Sequence, residues 1–311
     1  MSKDKKGLVL LDADYLVFSC LQAAETETDW GDDVWTLECD HKQALRALKS
    51  RTEAILELIT AELFMDDFDV GFIFSDAENW RKAIYPNYKF NRRKEGVRKP
   101  VGYNAFVERV QSGPEAFGGT FSLVRPLYEA DDTCATLATD PEMKGRYAEI
   151  VTVSVDKDFY TIPDAWFYHL KVDGTEPTLT LTSQQEADLW HLYQGMKGDI
   201  TDGFGGIKGV GETVNGTCIH EWLLNPTLWV QYEHEFKSGP RKGTKEMRWR
   251  SEDPREHGAS LWDCIVAVGA KAEMTEDEVL VGFQMARLLR HGDSTAGWKP
   301  EDTPFVLEPI I

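Results

Sequence analysis

Residues 7–14 read GLVLLDAD, an unbroken apolar run that stops on two carboxylates, Asp12 and Asp14. A short run without apolar/polar alternation is the pattern of a strand buried on both faces, as in a parallel sheet covered by helices. The same arrangement returns three times. FDVGFIFSD (68–76) ends on Asp76, TFSLVRPLYEADD (120–132) ends on Glu129, Asp131 and Asp132, and AEIVTVSVDKD (148–158) ends on Asp156 and Asp158. In open α/β sheets the functional crevice lies outside the carboxyl ends of the strands, so these acids are expected to converge there. One acidic strand end reads equally well as a turn former or helix cap. Four in one chain favour a site.

Outward from these runs, Leu45, Leu48, Ile55, Ile59 and Leu63 recur at helical spacing and predict a helix over 42–64. After residue 185 the chain turns helical and then enters ITDGFGGIKGVGETV, with five glycines between Gly203 and Gly211. Val230, Tyr232, His234 and Phe236 alternate before KSGPRKGTK, which predicts a hairpin with a basic tip. Thr275 and Glu278 form a capping box ahead of a helical pattern through Val279, Phe283 and Leu288 that Gly292 is expected to stop. No internal repeat is visible. The expected organisation is an α/β core over 1–185, with a mostly parallel central sheet flanked by helices, followed by a helical region over 186–311 packed on it.

The 311 residues are 42% hydrophobic and 28% charged, a globular balance. The net charge of −19 argues against a nonspecific polyanion binder unless the carboxylates are gathered to hold cations. No apolar run approaches the roughly 18 residues of a membrane span, and no secretory segment is apparent. Five cysteines without CxxC spacing suggest neither disulfides nor zinc, and point to a reducing, cytoplasmic setting. The Asn215–Gly216–Thr217 sequon is then idle.

Asp12, Asp76, Glu129, Asp131, Asp132, Asp156, Asp158, Asp199 and Asp202 give nine carboxylates for one site. Such a cluster needs protons or cations to neutralise it. Oxygen-only ligands suit Mg²⁺ or Mn²⁺, and two such ions about 3.5–4 Å apart serve phosphodiester hydrolysis. A polyanionic substrate requires positive charge nearby, and residues 81–99 supply it. Arg81, Lys82, Lys89, Arg92, Arg93, Lys94, Arg98 and Lys99 stand against Glu95 alone, a net +7, with Tyr85, Tyr88 and Phe90 interleaved as stacking surfaces. A second cluster, Lys237, Arg241, Lys242, Lys245, Arg248 and Arg250 against Glu246, reads equally as a solvated tip or a further backbone contact. GIKGVGET (206–213) falls short of a P-loop because Glu212 occupies the lysine position. It fits better as a glycine-rich hairpin between two short helices, whose backbone amides approach a phosphate.

Taken in order, these blocks closely resemble the flap-endonuclease/5′-exonuclease superfamily. NWRK, NYKFNRR, RKPVGY, KGDITDG, LWDCI, GAKAEMTE and QMARLLR extend the resemblance, over nearly the whole chain, to the duplex 5′→3′ exonucleases of T-odd-type short-tailed bacteriophages. The resemblance implies a PIN-like 5′-nuclease core with a helix-hairpin-helix element and a helical C-terminal extension. It also implies a Mg²⁺-dependent enzyme that degrades duplex DNA from 5′ ends and removes RNA from RNA–DNA hybrids. Its setting would be the host cytoplasm, in primer removal, recombination and host DNA breakdown, with a single-strand-binding protein as a possible partner and no membrane.

By the same resemblance, Asp12, Asp76, Glu129, Asp131 and Asp132 would hold a first metal, while Asp156, Asp158, Asp199 and Asp202 hold or orient a second. Lys89 and Arg93 would contact the scissile phosphate. Arg81, Lys82, Tyr88, Arg92, Lys94 and Lys208 would bind DNA. Gly206, Gly209 and Gly211 would form the backbone clamp, with a K⁺ ion. Asp14 departs from the pattern and reads as an outer ligand or a turn acid. Only 29 residues separate Lys99 from Glu129, too few for a long helical arch, which favours end-trimming over flap cleavage. The alternatives are a structure-specific flap endonuclease and a non-catalytic DNA-structure-binding protein. The stretch Glu25–Asp40, seven carboxylates without Lys or Arg, has no assigned role.

Overall fold

GLVLLD forms β1 (Gly7–Asp12), the strand on which the rest of the sheet is laid. The structure, a computed structural model, describes residues 5–90, 98–171 and 175–302. Its chain gathers into two units. One comprises Met1–Ala83, Arg93–Ala187 and Leu288–Thr295; the other comprises Ile84–Arg92, Asp188–Arg287 and Ala296–Ile311.

In the first unit, β1 lies between two parallel neighbours, β4 (Phe68–Phe74) and β6 (Ile150–Ser154), in a six-stranded sheet of order β5-β4-β1-β6-β7-β8. β5 (Phe121–Val124) and β7 (Ala165–His169) are also parallel, and only the edge strand β8 (Thr178–Thr182) runs against its neighbour. Successive β1 side chains face opposite ways. Val9 and Leu11 pack with Leu16, Leu48, Ile55 and Ile59, whereas Leu8 and Leu10 pack with Ala130, Cys134, Ala135 and Ala138. The run is continuous because both faces are covered, and each leucine so buried contributes about 1.5–3 kcal/mol.

The first face is covered by α1 (Ala13–Gln22), α2 (His41–Leu63) and, beyond the short α3 (Arg81–Ile84), by α4 (Tyr103–Ser112). α2 answers the predicted periodicity. Ala44, Leu48, Thr52, Ile55 and Ile59 are its buried stripe, and the Asp40 carboxylate caps it by accepting from the amides of Lys42 and Gln43. After β5 the chain crosses to the other face through α5 (Ala130–Thr139) and α6 (Pro141–Arg146). Strands are therefore added outward from β1 on one side, and the chain then returns to its other side. That reversal opens the crevice at the carboxyl ends of β1 and β6. The acidic stretch forms a hairpin of β2 (Glu25–Asp29) and β3 (Trp35–Cys39), with Asp32 and Asp33 in the left-handed region at its turn.

The second unit takes up α7 (Gln184–Lys197) from Asp188 onward. A two-helix hairpin is predicted next, but two small ladders intervene, β9 (Gly198–Asp199) with β10 (Phe204–Gly205) and β11 (Thr213–Val214) with β12 (Thr217–Cys218). Only then does α8 (Ile219–Leu224) start. The delay has a local cause, because Asn215 and Gly216 both take positive φ and make a hairpin turn that no helix accommodates. The basic hairpin appears as β13 (Leu228–Glu235) and β14 (Lys245–Glu252). α9 (Leu261–Lys271) and α10 (Glu276–Ala286) each open with a capping box, the second being Thr275 with Glu278 as predicted. α10 stops at Ala286, well before Gly292, and Arg287 is extended. Leu288 and Leu289 are claimed by the first unit, where Leu288 packs beside Ala130 and Cys134 and the Leu289 amide donates to Asp132.

Candidate metal centre

The register brings the carboxyl ends of four parallel strands to one level. Asp12 pairs with Ile73, Leu11 with Val153, and Phe74 with Val124. Each acidic block therefore starts where a sheet strand stops, with β1 central. Asp12 ends β1 and precedes α1. Its Oδ2 accepts from the Ser154 hydroxyl at 2.8 Å, and Ser154 Oγ in turn accepts the Asp156 amide at 3.1 Å. Asp156 accepts the Asp158 amide at 2.9 Å and caps the 3₁₀ turn Lys157–Thr161. Burial, with the charges of Asp14 and Asp156 adding to it, pushes the Asp12 carboxyl up to about 7. Asp14 is raised by burial as well, with Glu129 as a further charge against it. Its Oδ2 accepts the Ser75 amide at 3.0 Å, and Ser75 Oγ accepts the Ala130 amide at the start of α5. Asp14 thus ties the end of β4 to α1, the turn-acid role.

Glu129, Asp131 and Asp132 offer oxygens within 4.8 Å of one another. Asp132 nevertheless faces inward. It is fully buried and accepts from Arg81 at 2.6 and 2.9 Å, from Trp80 Nε1 at 2.8 Å and from the Leu289 amide at 3.0 Å. Four donors converge on its two oxygens. Asp132 is therefore the buried counter-ion of Arg81 as well as one of the three acids whose oxygens lie close enough to share an ion. Arg81 is corrected. At 1% exposure it is no DNA contact but the internal counter-ion of the cluster, reaching Glu129 Oε2 at 3.0 Å as well. Asp76 accepts backbone amides on both oxygens, from Ala77 and Leu127 at 2.8 Å each, and its own amide donates to Tyr128 O. It pins the loop leading into Glu129. Glu129, Asp131 and Asp132 thus form one group of oxygens able to face a cation, and Asp12 and Asp156 are tied to each other through Ser154.

Residues 7–187 match the family described as 5′-3′ exonuclease, N-terminal resolvase-like domain. The chain belongs to the 5′-3′ exonuclease family. It is 36% identical to the exonuclease of Escherichia phage T7 over 291 residues, covering 93% of this chain and 90% of that relative. It is likewise 36% identical to the exodeoxyribonuclease of Enterobacteria phage T3 over 290 residues, 92% of this chain and 89% of that one. Among solved structures, a bacteriophage T5 flap endonuclease complex with DNA and metal ions aligns over 91% of this chain and 89% of that chain, at a TM-score of 0.50 and 14% identity, a likeness of fold.

Apart from Lys82, the other sites expected of this exonuclease fall in its second unit or outside the described residues. Asp199 accepts the Thr201 amide at 2.7 Å. Asp202 accepts from the Tyr88 hydroxyl at 2.9 Å, and Lys89 Nζ lies 3.7 Å from its carboxylate. Tyr88 is buried among Phe204, Met285 and Ala286, so its expected part in DNA binding is corrected to a packing one. Lys82 is half-exposed on α3. Arg92, Arg93 and Lys94 lie outside the described residues. Gly206 has a packing reason of its own. A Cβ there would meet the backbone of Met196, Lys197 and Gly198, so its bareness serves the packing of β9–β10 on α7. Gly209, at φ +79°, and Gly211 have open space at that position, and Lys208 between Gly206 and Gly209 is exposed. Among the described residues no helix is long and apolar enough to cross a membrane.

The residues that sequence reasoning passed over are Ser75, Ser154, Trp80 and Leu289. The two serines had a readable signal, since each is the polar residue that ends an apolar run just before an acid. Trp80 and Leu289 had none, because their partner Asp132 is remote in sequence.

Proposed function

We propose that this 5′-3′ exonuclease hydrolyses phosphodiester bonds from the 5′ ends of duplex DNA, and the RNA of RNA–DNA hybrids, with Mg²⁺ or Mn²⁺ at the β1–β6 crevice. The observation that carries the reading is the gathering of acids at the ends of the parallel strands, with Glu129, Asp131 and Asp132 offering oxygens within 4.8 Å of one another and Asp12 joined to Asp156 through Ser154. The relatives named exonuclease and exodeoxyribonuclease support the same reading. Asp12, Glu129, Asp131 and Asp156 are the residues to hold the cations, with Asp132 and Asp158 beside them. When bound, such ions supply Lewis acidity for attack on a phosphodiester. The chain's own part is orientation. Ser154 fixes Asp12, the Asp158 amide fixes Asp156, and Arg81 turns Glu129. Lys89 and Arg93 are proposed to offset charge developing on the phosphate, Lys208, Gly209 and Gly211 to approach one strand's backbone, and K⁺ to sit at that turn.

The experiment is parallel hydrolysis of a duplex labelled at its 5′ ends and one labelled at its 3′ ends, with Mg²⁺ and then with chelator. Early release of short products from the 5′ label alone, abolished by chelator and by Asp156→Asn, is expected. Retained turnover by Asp156→Asn would sink the metal role. Asp199→Asn and Asp202→Asn in the same assay decide whether those two acids take part. A flapped duplex cut at its junction faster than a blunt one is trimmed would overturn the end-trimming preference.

A further inference from the structure

Beyond the acids and the glycine turn, the most strongly built cationic feature is the β13–β14 ribbon. Its root is fixed. Leu228 and Trp229 pack against the second-unit core, and Lys271 of α9 stacks over the Trp229 ring at 3.3 Å. Its far end is not shared with any core cluster among the described residues. Eight residues a side make an arm of about 27 Å.

One face of the arm carries an ordered aromatic and arginine strip. Tyr232, His234 and Phe236 follow at alternate positions and meet edge to face, with centroids 6.2 and 5.1 Å apart. The register sets Arg248 opposite Tyr232 and Arg250 opposite Val230, on the same face. Arg241 and Arg248 both lie against the Phe236 ring, at 3.9 and 5.0 Å. The tip, residues 236–245, contains Lys237, Arg241, Lys242 and Lys245 and no acid, in a chain of net charge −19. Its shape is held by its own bonds. Gly243 N donates to Phe236 O at 2.8 Å, Phe236 N to Thr244 O at 3.1 Å, and Thr244 Oγ1 to Arg241 O at 2.6 Å.

We propose that this ribbon is a duplex-DNA arm. It lies in a groove with Lys237, Arg241 and Lys242 on the phosphates, Arg248 and Arg250 following along the same face. A two-stranded ribbon matches the roughly 12 Å width of the B-form major groove. The ion pairs already on the arm, Arg241–Glu246 at 3.1 Å, Lys245–Glu233 at 2.7 Å, Arg248–Glu246 at 2.5 Å and Arg250–Glu252, all involve cations that are one-third or more exposed. Such pairs are individually weak, so their cations are readily re-aimed at phosphate. The aromatic strip keeps the arginines extended. Nothing in the contacts reads base identity, so the arm contributes affinity without sequence preference.

The inference rests on the exonuclease acting on DNA, and the test separates the two. Lys237→Ala/Lys242→Ala is compared with the unaltered protein for duplex binding across salt with chelator present, and for hydrolysis with Mg²⁺. Both lysines sit on an exposed turn, so the melting temperature is expected to hold. Loss of two phosphate contacts lowers the slope of log K against log salt by about 2, weakens binding roughly tenfold at physiological salt and raises KM with kcat unchanged. An unchanged slope and KM in a folded variant overturn the arm. Absence of hydrolysis by the unaltered protein overturns the exonuclease reading instead, while the binding slopes still judge the arm. Phe236→Ala supplies a second reading. It leaves every cation in place, and weaker binding by this variant is expected because the arginines lose their platform.

Discussion

The guanidinium of Arg81 grips the carboxylate of Asp132 at two points, 2.6 Å from Nη1 to Oδ2 and 2.9 Å from Nη2 to Oδ1. Both residues belong to types expected at the surface of a nuclease, one on metal and one on DNA, and here they bind each other in the interior. Removing one partner of a buried pair leaves an uncompensated charge and costs about 3–5 kcal/mol. Arg81→Ala is therefore expected to lower stability by that amount in denaturant unfolding. Arg81→Lys should recover only part, because an ammonium cannot span both oxygens. Wild-type stability in Arg81→Ala would show the pair to be dispensable.

Neighbouring acids at the start of α5 should separate cleanly. Asp131→Asn is expected to fold as the wild type and to lose hydrolysis by two or more orders of magnitude. Asp132→Asn is expected to unfold at lower denaturant, with its activity loss following its loss of fold. Parallel denaturation and single-turnover assays decide the matter. Equal stability of the two variants would leave Asp132 with the ligand role alone.

Asp12 makes a pH prediction for the metal-free protein. Its carboxyl, ordinarily near 3.8, is raised to about 7 in the folded state. The folded state thus holds the proton longer than the unfolded one, and stability falls as pH rises from about 4 through about 7. Asp12→Asn carries no such charge. In chelator it should match the wild type below pH about 4 and exceed it increasingly up to pH about 7, by at most about 4 kcal/mol at about 1.4 kcal/mol per unit. Mg²⁺ should then narrow the gap by stabilising the wild type alone. A pH-independent difference between the two would contradict the assignment.

The glycines of the second unit should not behave alike. Gly206→Ala drives a Cβ into the Met196–Gly198 backbone, so a large drop in melting temperature is expected. Gly209→Ala meets open space and costs about 1 kcal/mol through its positive φ. Its expected effect is on DNA affinity, read in a binding titration, with the fold intact.

The sheet and its acidic edge were legible because the signal is local. An apolar run that stops on a carboxylate carries both the strand and the position of its end in a handful of residues. The helix 41–63 and the Thr275–Glu278 cap were readable for the same reason. What lay beyond reading was pairing at a distance. Nothing within the segment 81–99 distinguishes Arg81, turned inward to an acid 51 positions away, from Lys82 beside it. Tyr88 looked like a stacking surface because an aromatic among cations fits either a ligand or a core. The early end of α10 was hidden too, since Leu288 fits the helical pattern but is held by residues 130–138.

The short segment Leu288–Thr295 completes the first unit from far along the chain. The family match closes at residue 187, yet Asp132 lacks its fourth donor until Leu289 has been synthesised. A ribosome that has translated all nine acids and the cationic stretch has still not supplied the amide that completes the buried pair. A product that stops short of Leu289 leaves Asp132 with the Arg81 and Trp80 donors alone.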